Sequence, residues 1–189
     1  MKAFTFTLLF LSSLCLFSQT KDEREFRVEK ENFPTNAQSV LKELPNSAKR
    51  LKLYKETDGE KVSYEAKFKF KKNRYSLEFD TNGVIEDIEM IVNKKSIPIE
   101  IIEIHFKSNY IRFKIIKIQT QYINTDSKND KDFMIGVLNG YKGQKVNFEI
   151  IAEVKTESNR NVMEFLFTEN GKFLNSRILK PTSYEHIMY

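Results

Sequence analysis

Two stretches of this chain follow one script 88 residues apart. Arg74 to Glu89 and Val162 to Arg177 each run from an aromatic-rich segment through Asn-Gly to a second apolar segment. Asn-Gly between two such runs is the strongest short-range signal for a β-hairpin, because both turn residues accept positive φ. A repeated hairpin constrains the chain to an antiparallel sheet built twice. It supplies no chemistry by itself.

The segments around the hairpins extend the pattern. Phe33-Pro34-Thr35 opens a predicted helix with Ala37, Val40, Leu41 and Leu44 on one face and Pro45 as its stop. Arg50 to Thr57 then reads as a strand that turns at Asp58-Gly59. The next strand has the cleanest alternation in the chain. Val62, Tyr64, Ala66, Phe68 and Phe70 take one side, and Ser63, Glu65, Lys67, Lys69 and Lys71 the other. Period two with one apolar face predicts a sheet half buried against a helix, its ionic face in water. Tyr75, Leu77 and Phe79 continue the apolar side, and Val84 to Val92 closes the unit. After Asn93 to Ser96, Ile97-Pro98 repeats the opening, with Ile99, Ile102 and Phe106 at helical spacing. Ile111 to Tyr122 reads as a long strand whose facing flips at Ile115-Ile116, which predicts a bulge there. A polar insertion follows, with a short helix or strand over Asp132 to Asn139. Strands at Val146 to Lys155, Val162 to Thr168 and Lys172 to Leu179 complete the second unit.

The expected fold is therefore α+β: two tandem modules, each a helix plus a four-stranded antiparallel sheet, with the helices on one sheet face. The boundaries are a signal peptide at 1–19, a charged leader at 20–32, a first module at 33–93, a second at 97–180 with an insertion at 123–145, and a tail at 181–189. The signal peptide rests on Lys2, an apolar run from Ala3 to Phe17 and small Ser18 before charged residues. It predicts an exported protein, periplasmic or secreted. Cys15 is the one cysteine and leaves with that segment, so the mature chain has no disulfide and needs an ordinary core. No later run is long and apolar enough for a transmembrane helix.

Catalytic groups are thin. His105 sits on the second predicted helix and His186 in the tail, with no metal spacing between them. The six glycines fall mostly at turns and leave no phosphate-binding loop. The expectation is no catalytic residue, no cofactor and no metal. Lysine alternates with phenylalanine over Lys67 to Lys71, which puts cations and rings on opposite faces and defeats a stacking platform for nucleic acid. With 31 basic residues against 26 acidic ones, interspersed, the surface charge is mixed.

Pro34 to Leu53, Tyr64-Glu-Ala-Lys67, Leu77 to Gly83, Ile116 to Tyr122 and Glu164 to Gly171 carry a family likeness. In these motifs the chain resembles exported bacterial PepSY-like proteins, also described as β-lactamase-inhibitor-like. The resemblance implies a cell-envelope protein without catalysis whose sheet presents a binding surface to another protein. The leading expectation is thus a non-catalytic module that binds a protein or peptide of the envelope through the open sheet face, at Lys67, Lys69, Arg74 and Glu78. The alternative is a small-molecule or lipid carrier with an apolar cavity between sheet and helix, motivated by 16 phenylalanines. A hydrolase built from scattered carboxylates is a third reading.

Overall fold

The structure, a computed structural model, describes residues 19–125, 129–140 and 145–181. The expected signal segment up to residue 18 and the tail beyond 181, with His186, lie outside the described residues. The strands are β1 (Gln19–Lys21), β2 (Glu23–Arg27), β3 (Lys49–Asp58), β4 (Lys61–Phe70), β5 (Asn73–Phe79), β6 (Ile85–Ile91), β7 (Arg112–Ile123), β8 (Lys145–Lys155), β9 (Arg160–Thr168) and β10 (Phe173–Leu179). The helices are α1 (Thr35–Leu41), α2 (Ile99–Asn109) and α3 (Asp130–Leu138).

All ten strands belong to one sheet, in the order β1-β10-β9-β8-β7-β6-β5-β4-β3-β2. Two tandem modules are therefore not what forms, and three contacts explain why. First, β6 pairs with β7 from Asp87 opposite Ile123 to Ile91 opposite Gln119, so the ladder runs unbroken through the expected joint. Second, α3 rises from the insertion of the second half and packs into the core of the first. Its Phe133, Met134, Val137 and Leu138 join Phe33, Ala37, Phe68 and Leu77 in one cluster. Third, Gln19, expected to end the signal peptide, and residues 20–27, expected as part of the charged leader, form a strand that serves both edges of the sheet. Its first part pairs in parallel with β10, Gln19 opposite Arg177 and Lys21 opposite Leu179. After Asp22 its second part pairs antiparallel with β3, from Glu23 opposite Asp58 to Arg27 opposite Tyr54. The sheet thereby curls into a near-barrel and loses its open edges, which are otherwise sites for unwanted strand pairing.

Local irregularities assist the curl. Register shifts occur between Lys49 and Lys52, Glu78 and Phe79, Phe173 and Asn175, and between Ile115 and Lys117, where the change of facing predicts one. The helices cover the outer, apolar side. Under α1 lie Ala66, Phe68, Leu77 and Phe79, and Phe33 meets Phe79 edge to face at 5.7 Å. Under α2 lie Ile150, Ala152, Phe165 and Phe167, with Phe106 wedged against Phe165 at 4.8 Å. A fully buried phenylalanine contributes about 2–3 kcal/mol by area, so the stability of the sheet rests on this side.

The two Asn-Gly hairpins tie sheet to helix. Gly83 (φ 80°) closes the turn with its N–H donating to the Asp80 carbonyl at 3.0 Å. A Cβ on Gly83 would stand 2.6 Å from the backbone nitrogen of Ala37 in α1. Gly171 (φ 79°) repeats this against Pro98 and Ile101 at the start of α2. Positive φ and close approach both demand glycine, which explains why the hairpin recurs in sequence.

α3 begins one residue before Lys131, earlier than the spacing predicts. The Asn129 side chain accepts a hydrogen bond from the Asp132 N–H at 3.0 Å, and Asp130 and Asp132 place negative charge in the first turn. Asp130 also accepts from the Ile85 N–H at 3.0 Å, fastening α3 to β6.

Candidate binding site on the concave face

Because the apolar face of each strand turns outward beneath the helices, the ionic face turns inward. It is not the solvated surface that alternation suggests. All the strands contribute to one cavity of about 220 Å³. Eleven carboxylic side chains and five cationic ones line it, in a chain whose formal net charge is +5. Such an excess of acid in a confined space cannot be wholly ionised, and some carboxyls must keep their protons.

The middle of the cavity is an ion-pair network centred on Lys67. Its Nζ lies 2.6 Å from Glu25 of the closing strand and 2.7 Å from Glu65. Glu65 also accepts from the Ser76 hydroxyl. Burial opposes ionisation of Glu65, but Lys67, with hydrogen bonds from Glu56 and Ser76, holds its carboxyl below the usual range. Glu56 is pushed the other way, up to about 11, by burial first and by the charge of Glu65 second. The two therefore act as a carboxylic acid donating to a carboxylate. Glu78 is raised well above the ordinary value by burial and by neighbouring acids. The carboxylate oxygens of Glu56, Glu65 and Glu78 lie within 4.8 Å of one another, the kind of spacing a divalent cation spans. Lys67 offsets part of this charge through Glu65.

A second network seals the seam. Arg177 on β10 donates to Glu164 through Nε at 3.1 Å and Nη2 at 2.7 Å, and to Asp58 on β3 through Nη1 at 3.0 Å. Lys21 reaches Glu164 and Glu23, both at 2.8 Å. The third group runs along β6 to β8. Gln119 donates to Glu89, Gln121 donates to Asp87 at 3.0 Å, and Asn147 donates to Gln121 at 3.3 Å. Burial raises Asp87 to about 7 and Glu89 to about 8.

The cavity opens at the ends of β3, β4 and β5 into a wider mouth of about 510 Å³, lined by Arg50, Lys52, Tyr54, Lys69, Arg74 and Ile91 among others. Lys69 stands directly opposite Arg74 on one side and Lys49 on the other. Arg50 depresses the Lys69 ammonium, with a smaller contribution from Arg74. Arg50 itself adopts a left-handed backbone, φ 60°, inside the bulge between Lys49 and Lys52. Among the described residues no carboxylate comes within ion-pair distance of Arg50, Lys52, Lys69 or Arg74.

The four residues singled out from sequence thus separate. Lys69 and Arg74 meet at the mouth. Lys67 is engaged with Glu25 and Glu65, its Nζ lying 5.1 Å from the Tyr54 ring centroid. Glu78 lies within the cavity as a proton-retaining acid rather than on an open face. Arg50 and Lys52 escaped the sequence reading, although Arg50-Leu51-Lys52 shows the alternation that marks the other ionic positions. Glu56, Glu65 and Glu164 escaped it too, since nothing in a lone glutamate announces burial. His105 stacks on Phe173 at 4.3 Å with Phe167 edge-on, and burial lowers its pKa, which suits a packing role.

No protein-family pattern matches the chain, and no curated protein matches it. Among solved structures, a DUF2874 family protein from Bacteroides uniformis ATCC 8492 is similar in fold, with a TM-score of 0.51 and 14% sequence identity. The match covers 77% of this chain and 88% of that one, and at such identity it is a likeness of fold alone.

Proposed function

We propose that this protein is a non-catalytic binding module of the cell envelope that takes a peptide segment of a partner protein at the mouth of its near-barrel. The observation that carries the reading is the mouth itself. It combines unpaired cations with half-buried Tyr54 and Ile91 in an open concavity large enough for two or three side chains. Tyrosine and arginine in such a setting are the residues that dominate recognition. Among the described residues Ala37, Ile102 and Phe106 are completely buried where the helices meet the sheet, which favours the mouth over an apolar cavity there.

Selection of random peptides on the immobilised protein tests this reading. Enriched peptides are expected to bind saturably and to weaken at least tenfold with Tyr54→Ala. Failure to enrich any saturable binder, or binding indifferent to Tyr54 and Ile91, overturns it.

A further inference from the structure

We propose that Arg50, Lys69 and Arg74 form a carboxylate-binding subsite within that mouth, so that the peptide taken there is anchored by an acidic group. The inference rests on the binding reading above and adds the chemistry of the anchor. Three adjacent strands deliver the three cations, Arg50 from β3, Lys69 from β4 and Arg74 from β5. Cross-strand pairing puts Lys69 directly against Arg74. Like charges in that position destabilise a sheet, and arginine has no means of shedding its proton. Of the acids lining the mouth, Glu25 and Glu65 are already occupied by Lys67, and Glu89, raised to about 8 by burial, accepts from Gln119. Among the described residues the charge surplus is therefore left without a counter-charge.

The backbone adds an independent sign. A left-handed conformation is uncommon for a residue with a long side chain, and bulges re-aim side chains beside functional sites. Arg50 has both features, next to Lys49, which pairs with Lys69. Sheet geometry also sets the size of the guest. Two strand spacings of roughly 4.8 Å span the three cations, which suits one or two carboxylates rather than a phosphate ladder. Two guanidinium forks match carboxylate geometry, and a lysine between them contributes a mobile point charge. The depressed Lys69 ammonium agrees with a cation held among cations.

The test is an amide-resolved NMR titration of the protein with glutarate, with N-acetylglutamate amide and with inorganic phosphate at about 20 mM salt. Glutarate is expected to shift amides at the ends of β3, β4 and β5 saturably, with at least fivefold weaker binding in Lys69→Gln and in Arg74→Gln. Raising salt to 200 mM should weaken it about tenfold, as charge screening requires. Arg50→Gly is the decisive variant, because glycine relieves the left-handed backbone while removing the guanidinium. It should lose the glutarate shifts and keep or raise the melting temperature; retained binding with a lowered melting temperature would assign Arg50 a structural role and overturn the proposal. Binding of phosphate with none of glutarate would also overturn it, as would shifts confined to another part of the chain. Selected peptides that bind through Tyr54 without competition from glutarate would remove this subsite and leave the broader binding reading standing.

Discussion

Replacing Glu56 by glutamine should stabilise the protein, and by an amount that grows with pH. Glu56 is 5% exposed, and its carboxyl keeps its proton up to about pH 11, against 4.5 for an unburied glutamate. Below pH 4.5 both the folded and the unfolded chain hold this proton, and the group has no influence on the equilibrium. Above it the unfolded chain releases the proton and the folded chain does not, so stability falls by about 1.4 kcal/mol per pH unit. At pH 7.5 the accumulated cost is on the order of 4 kcal/mol, a large part of the about 5–15 kcal/mol that holds a domain folded. Glutamine has nearly the same shape, donates through its amide to Glu65 and has no proton to lose. Urea unfolding of wild type and Glu56→Gln at pH 5, 6.5 and 8 should show a gap of about 1 kcal/mol or less at pH 5 that widens to about 4–5 kcal/mol at pH 8. Glu65→Gln is the counterpart, since Glu65 is ionised and holds Lys67. It should destabilise by about 3 kcal/mol with little change between pH 5 and 8, because a depressed carboxyl keeps its contribution at every pH above the ordinary glutamate value of 4.5. A Glu56→Gln protein that is less stable than wild type at pH 8, or a gap that stays constant with pH, would refute the shared-proton account of the cavity.

Two further outcomes follow from the packing. Gly83→Ala should cost about 3 kcal/mol or more, because φ 80° is combined with a 2.6 Å approach to the Ala37 nitrogen. Gly59→Ala, at φ 63° with open space around it, should cost about 1 kcal/mol, and thermal unfolding distinguishes the two. Arg177→Gln removes the link from β10 to Asp58 on β3 and half of the neutralisation of buried Glu164. A loss of about 2 kcal/mol is expected, with faster amide hydrogen exchange confined to residues 19–27 and the adjoining strand edges; uniform acceleration through β4 and β5 would contradict the assignment of the seam.

Much of the sheet was legible in residue order. Alternation over Val62 to Lys71 assigned Phe68 and Phe70 to the helix side, and both are buried there. The phase change at Ile115-Ile116 marked an actual register shift. Both Asn-Gly turns form with positive-φ glycine. The association of the two halves was not legible. Nothing in Phe133 or Met134 states which half they pack on, because an amphipathic helix specifies an apolar face and not its partner. Residues 20–32 misled for a related reason. Lys21, Glu23 and Glu25 look like a solvated leader, yet each faces the cavity; Lys21 meets Glu164 and Glu25 meets Lys67 on distant strands, while Glu23 pairs with Lys21 itself.

Alternation reports a difference between two faces and is silent about which face the sheet curls around. A solvated ionic face has no reason to sort its charges by sign, since water neutralises each one separately and neighbours of opposite sign gain a little from pairing. A closed face does have a reason. Confinement lets carboxyls abandon their charge near neutral pH, as Glu56 and Glu89 do, whereas arginine cannot follow and lysine follows only when desolvated without a partner. Acids consequently accumulate inside and the unpaired bases are left at the rim, where Arg50, Lys69 and Arg74 stand. The separation of sign along β3 and β5, acid at Glu56 and Glu78 and base at Lys52 and Arg74, with Lys67 kept inside β4 only as the partner of Glu25 and Glu65, is thus the trace that a barrel interior leaves in a sequence whose composition looks merely mixed.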